Sequence, residues 1–208
     1  ITHIGAKVRA PYSIQKFFAI PPVAPNHYVF PALLHFKEAI DITRFTRAVE
    51  KLIERHESLR VIIDTDSYNL TIGSPYKLQA PDQVVMNNPT TRVLDEKSVI
   101  PFLWNLENGL SLEKGKLVAL GFINHGDSHY AYIVVHHLVV DMASWYILIS
   151  ELKEIYLHQQ SARLPPVHSY FKACQSVQPE KYLALKSDAS FWNSLDSRII
   201  ENRTKIGT

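Results

Sequence analysis

One cysteine, Cys174, stands in 208 residues, so no disulfide can close within the chain. That suits a reducing compartment, and the cytoplasm is the expected location. Glycine is scarce at seven residues. No P-loop, GxGxxG or GxSxG pattern occurs, which leaves no glycine-rich phosphate cradle and no nucleophile elbow. HExxH and CxxC are missing as well, removing the commonest zinc signatures. There is little excess charge: 22 Lys and Arg face 20 Asp and Glu, a net +2 with His neutral. Neither a nucleic acid nor a membrane surface is an expected partner of so balanced a chain. No apolar run is long enough to span a bilayer. What remains is 46% hydrophobic and 11% aromatic, which argues for a packed core in one domain.

The periodicity mixes α and β. Residues Tyr28–Phe36 read as a strand. Ile42, Phe45, Val49, Leu52 and Ile53 recur at helical spacing, so a helix is predicted over Ile42–Arg55 with Asp41 as its N-cap. Leu59–Asp64 and Tyr68–Ile72 read as paired strands around Asp64-Thr65-Asp66-Ser67. Ser74–Arg92 is turn-rich and reads as a long surface excursion. Lys116–Asn124 and His129–His137 form a predicted antiparallel pair across His125-Gly126-Asp127-Ser128. Helices follow over Met142–Tyr156, Tyr170–Gln178 and Lys181–Leu195, with a break at Pro165-Pro166.

At the end of the second hairpin strand stands His136-His137-Leu138-Val139-Val140-Asp141, an HHxxxD pattern. Side chains alternate along a strand, so His136 and His137 face opposite ways and only one can enter a given pocket. An imidazole is the side chain best suited to proton transfer near neutral pH, and His137 is the candidate acid/base group. The same six residues also fit a buried structural His and an N-cap Asp. A metal site on His136, His137 and Asp141 is disfavoured because neighbouring strand residues diverge, so no metal is expected. His56 and Glu57, just after a helix, read as solvated or capping residues.

The stretch from His136 to Leu152 resembles the signature of the condensation superfamily of nonribosomal peptide synthetases, usually HHxxxDG with a Ser two residues later. Asp141 and Ser144 match it. Pro11-Tyr12-Ser13-Ile14-Gln15-Lys16-Phe17-Phe18 is similar to the family's opening motif, and Arg55-His56-Glu57-Ser58-Leu59-Arg60 to its RHExLR motif. Ser169-Tyr170-Phe171-Lys172 and Phe191-Trp192 fall where later aromatic patches occur. The Leu-Val-Val spacer, Ser144-Trp145, Ile147-Leu148 and Glu151-Leu152 look most like the epimerisation branch.

The resemblance implies an α/β fold, a two-layer sandwich of a mixed sheet with helices like half of chloramphenicol acetyltransferase. The whole chain, 1–208, is then an N-terminal lobe, with a second lobe expected from elsewhere. It implies chemistry on aminoacyl or peptidyl thioesters, by epimerisation at Cα or amide-bond formation, with His137 at its centre. The substrate would ride on the phosphopantetheine of a carrier protein, with no directly bound cofactor. His136 would be structural, and Asp141 would pair with Arg60 as scaffold, supported by Ser144. The motif Gly is replaced by Met142, beside the channel through which the carrier arm enters in the family. A non-catalytic module that docks a carrier protein or subunit is the competing reading. A lone lobe would expose an apolar face and self-associate.

Overall fold

The computed structural model describes residues 3–20, 23–79, 82–86 and 96–177. Its order is β1 (Lys7–Arg9), α1 (Tyr12–Ala19), β2 (Val29–Phe36), α2 (Ile42–Arg55), β3 (Val61–Asp64), β4 (Asn69–Ile72), β5 (Asp82–Met86), α3 (Glu96–Asn108), β6 (Val118–His125), β7 (Ser128–His136), α4 (Met142–His158) and α5 (Tyr170–Ser176). The larger sheet runs β2-β7-β6-β5 and the smaller β1-β4-β3. The expected α/β sandwich with a mixed sheet is what forms.

Alternation in the β6–β7 hairpin decides what covers each face. Val118 pairs with Val135, Leu120 with Ile133 and Phe122 with Ala131. These residues share one face and pack in a single core with Phe45, Val49 and Leu52 of α2 and Trp145, Leu148 and Leu152 of α4. Ile123, Tyr132 and Val134 point the other way and meet Val99, Phe102 and Leu106 of α3. Gly126, at φ 56°, makes the tight hairpin turn that a side chain would strain. Among the described residues β2 pairs in that sheet with β7 alone, and such an edge position tolerates Pro31, which has no N–H to donate.

The predicted helices over 42–55 and 142–156 are present, and Asp41 caps α2 by accepting the Arg44 N–H at 2.9 Å. The first predicted strand pair is shorter than expected, because Glu57–Arg60 forms a 3-10 turn that takes in Leu59. Two elements differ more. The region read as a surface excursion contains β5, which runs parallel to β6. A parallel partner needs a crossover, and α3 supplies it, so β5-α3-β6 is one βαβ unit. No helix was expected over 96–108, where Pro101 interrupts the pattern. An interior Pro costs a helix about 3 kcal/mol. Burying Val99, Phe102 and Leu106 at about 1.5–3 kcal/mol each outweighs it. The predicted helix over Lys181–Leu195 and the Phe191-Trp192 pair lie outside the described residues.

Gly121 sets the approach of α3 to the sheet. A Cβ there would come within 2.4 Å of Leu106 Cδ1 and 2.5 Å of Phe102 Cζ. Gly121→Val should therefore lift α3 from β6 and destabilise the fold by about 1–3 kcal/mol in urea denaturation. An unchanged midpoint would mean that α3 is not held this closely.

Candidate functional site

The two histidines leave β7 in opposite roles. His136 is fully buried. Its Nε2–H donates to the Pro25 carbonyl at 2.8 Å, and its Nδ1 accepts the Leu138 N–H at 3.3 Å. Both ring nitrogens are satisfied in one neutral tautomer. Burial pushes its pKa down to about 4; the Pro25 bond opposes this only in part, and the neighbouring His137 adds to it. His136 is thus buried, neutral and hydrogen-bonded through both ring nitrogens.

His137 is half-buried. Its main-chain N–H donates to the Tyr28 carbonyl at 2.7 Å. Its ring Nδ1 lies 2.8 Å from the Val140 carbonyl, which can only accept, so Nδ1 carries the hydrogen. Nε2 is left with its lone pair and no partner among the described residues. The ring stacks on Tyr28 at 4.8 Å and 13°, and Phe30 lies against it at 4.8 Å, tilted by 44°. Tyr28 and Phe30 were not singled out from the sequence. The register of β2 on β7 would have found them, because Val29 pairs with His136 and so sets Tyr28 opposite His137.

Asp141 is exposed and caps α4. Its Oδ1 accepts the Ser144 N–H at 2.7 Å and the Ser144 hydroxyl at 2.6 Å. The Ser144 bonds hold its carboxyl below the usual carboxylate range. Met142 begins α4 with its side chain 58% exposed rather than packed into the first turn. The implied Asp141–Arg60 ion pair does not form. Arg60 is buried elsewhere, its Nη1–H donating to the Gly73 carbonyl, while the Gly73 N–H donates back to the Arg60 carbonyl at 2.8 Å. Arg60 thereby locks the 3-10 turn to the end of β4, and the cap of α4 uses Asp141 for itself.

The rest of the RHExLR motif departs from the solvated reading. His56 Nε2 lies 2.7 Å from Glu151 Oε2, and Arg55 Nε donates to the same oxygen at 3.0 Å. Glu151 is buried in the middle of α4, so the end of α2 grips α4 through it. Glu57 is also buried. Its Oε1 meets His3 Nδ1 at 2.9 Å, and its Oε2 accepts the Ser169 hydroxyl at 2.8 Å and the Phe171 N–H at 3.0 Å. Burial pushes the Glu57 carboxyl up, but the bonds from His3, Phe171 and Ser169 outweigh it and bring its pKa down to about 2. Sequence reasoning missed both carboxylate hubs, since neither Glu151 nor Glu57 has its partners nearby in the chain.

A family model described as Condensation domain matches residues 13–204. Malformin synthetase of Aspergillus brasiliensis is 29% identical over 154 residues, 74% of this chain and 3% of that protein. Gramicidin S synthase 1 of Brevibacillus brevis is 26% identical over 183 residues, 82% of this chain and 16% of that protein. The chain thus spans a small part of the curated relatives it matches. Among solved structures, the epimerization domain from the third module of tyrocidine synthetase B superposes with a TM-score of 0.77 at 21% identity. That match covers 94% of this chain and 46% of the other. The condensation domain of the Monacolin K polyketide synthase gives 0.66 at 16% identity, covering 93% and 43%. These structures share the fold.

Two expectations follow from the geometry. Arg60→Ala should cost about 1–3 kcal/mol by leaving the Gly73 carbonyl without its partner, and Asp141→Ala about 1 kcal/mol through the lost cap. In a double-mutant cycle the two should add to within about 0.5 kcal/mol; a larger coupling would restore the direct pair. The second concerns acid. The unfolded chain protonates His136 below about 6.5, the folded chain not until about 4, so this group makes stability fall as pH drops across that window. Glu57 contributes stability that is present above 4.5 and is lost as pH falls towards about 2. His136→Gln should flatten the upper limb of a stability–pH profile and Glu57→Gln the lower one, measured by denaturant unfolding at each pH.

Proposed function

The chain belongs to the condensation-domain family, and from that premise we propose that it is the His-bearing lobe of an enzyme for carrier-bound thioesters. The substrate is an aminoacyl or peptidyl group on the phosphopantetheine of a carrier protein, and His137 is the acid/base group. One observation carries this reading. The Val140 carbonyl fixes the Nδ1–H of His137, so the free Nε2 keeps a lone pair at a half-buried, aromatic-walled position.

Epimerisation is the leading reaction, supported by the Leu138-Val139-Val140 spacer and Ser144-Trp145. Nε2 takes the Cα proton of the thioester, the electron pair moves into an enolate, and a proton returned to the other face inverts the centre. The second proton donor in this reading comes from a second lobe. In amide formation, the second reading, the same Nε2 takes a proton from an acceptor amine as its nitrogen attacks the thioester carbon. The C–N bond forms, the C–S bond breaks, and the departing carrier sulfur receives the proton held on Nε2 and leaves as a thiol. Arg60 and His136 serve as scaffold in either case, and Asp141 with Ser144 holds the start of the helix that follows His137.

The experiment is hydrogen exchange on an aminoacyl-loaded carrier protein in D2O, read by mass spectrometry, with the protein that carries this lobe. Epimerisation predicts deuterium at Cα, and His137→Ala should reduce the rate by about 10²-fold or more. Amide product with a second loaded carrier, and no exchange, would select condensation. Carrier binding with neither reaction would leave the docking module and sink the enzymatic reading.

A further inference from the structure

We propose that Tyr28 is a positioning residue for His137, holding the imidazole plane and its tautomer from the facing strand. The inference rests on the acid/base reading of His137 and extends it to a residue outside the HHxxxD motif.

Tyr28 lies directly across from His137 in the continued β2–β7 register, and the 2.7 Å bond from the His137 N–H to the Tyr28 carbonyl closes that pair. Side chains of such a cross-strand pair stand side by side. The rings then stack nearly parallel, their planes 13° apart and their centroids 4.8 Å apart. Phe30, two residues along and on the same face of β2, closes from another side. Rotation of the imidazole about its bond to the backbone would clash with one ring or the other. The bond to the Val140 carbonyl sets which nitrogen carries hydrogen; the stack sets the plane in which that bond can form.

Tyr28 is not a core residue. Its side chain is 44% exposed, so core burial does not account for a large aromatic there. Its hydroxyl makes no hydrogen bond among the described residues, which leaves the ring face as the working part. Phe17 of α1 packs against that ring at 5.1 Å and also meets His136 edge-on at 6.5 Å. Trp145 of α4 meets Phe30 edge-on at 6.5 Å. A run of rings from α1 through β2 to α4 therefore holds both sides of His137.

The test reads the imidazole itself. In protein labelled with 15N-histidine, the His137 resonances are identified by their loss in His137→Gln. They should show the Nδ1–H tautomer. Tyr28→Leu should move them towards the tautomer average of a free imidazole and lower kcat by about tenfold with KM little changed, the pattern of an interaction used in the transition state. Tyr28→Phe keeps the ring and should keep both properties. Unchanged 15N signals in Tyr28→Leu, or a Tyr28→Phe as impaired as Tyr28→Leu, would overturn the proposal. Full turnover in His137→Gln would instead remove the acid/base reading, while the 15N comparison would still decide whether Tyr28 sets the ring.

Discussion

Two buried carboxylates, Glu151 in α4 and Glu57 just after α2, organise this structure around the end of α2. A carboxylate taken out of water costs several kcal/mol unless charge and hydrogen bonds replace its hydration. Glu151 meets that demand with Arg55 and His56, and Glu57 with His3, Ser169 and the Phe171 N–H. Arg55, His56 and Glu57 are consecutive, so one short stretch clamps α4 on one side and the N-terminal segment and α5 on the other. Apolar packing between α2 and α4 is tolerant of small slides, because many side-chain arrangements fill similar volume. A buried charge with a single set of partners is not. The clamp therefore sets where α4 lies along α2, and through α4 where its first turn meets His137.

The adjacent histidines show how one strand end gives two neighbouring rings different surroundings. His136 is consumed by bonds on both nitrogens and by burial that keeps it neutral. His137 spends only Nδ1. The difference comes from strand alternation, which sends one ring inward to the Pro25 carbonyl and the other outward beneath Tyr28 and Phe30. The turn after β7 then reuses its own polar groups: the Leu138 N–H serves His136, the Val140 carbonyl serves His137, and Asp141 starts α4. The three residues between His137 and Asp141 are the length needed for the turn to bring Val140 back under the ring before the helix begins.

The parts of this arrangement visible in the sequence were those whose signal is local. The apolar period of α2, its Asp41 cap and the β6–β7 hairpin are all written within about a dozen residues, and each forms where expected. β5 was invisible because a five-residue strand running parallel to β6 finds its partner only after a crossover. α3 was hidden by Pro101, whose local penalty is overcome by packing against the far face of the sheet. His137 stood out through its motif, yet Tyr28 and Phe30 did not, because their contact depends on a register about a hundred residues apart in sequence. The Asp141–Arg60 pairing, carried over from the family, failed for a related reason: each residue found a closer partner, Ser144 in one case and Gly73 in the other.

This gives a physical account of why three separated motifs belong together. Phe17 lies in the opening motif, Arg55-His56-Glu57 in the second and His137 in the third. None of the first two sets touches the free Nε2. Phe17 braces Tyr28, which stacks on the imidazole; the second motif fixes α4, whose Trp145 braces Phe30. The ring that holds the lone pair is thus supported from both helices through one intermediate aromatic on each side. A site built this way places its rigidity in packed rings and paired strands, and leaves the Nε2 of His137 without a partner among the described residues. An ion pair lost between Asp141 and Arg60 matters little under such a scheme, because the orientation of His137 is carried by the strand pairing, the turn carbonyl and the rings rather than by a charge behind it.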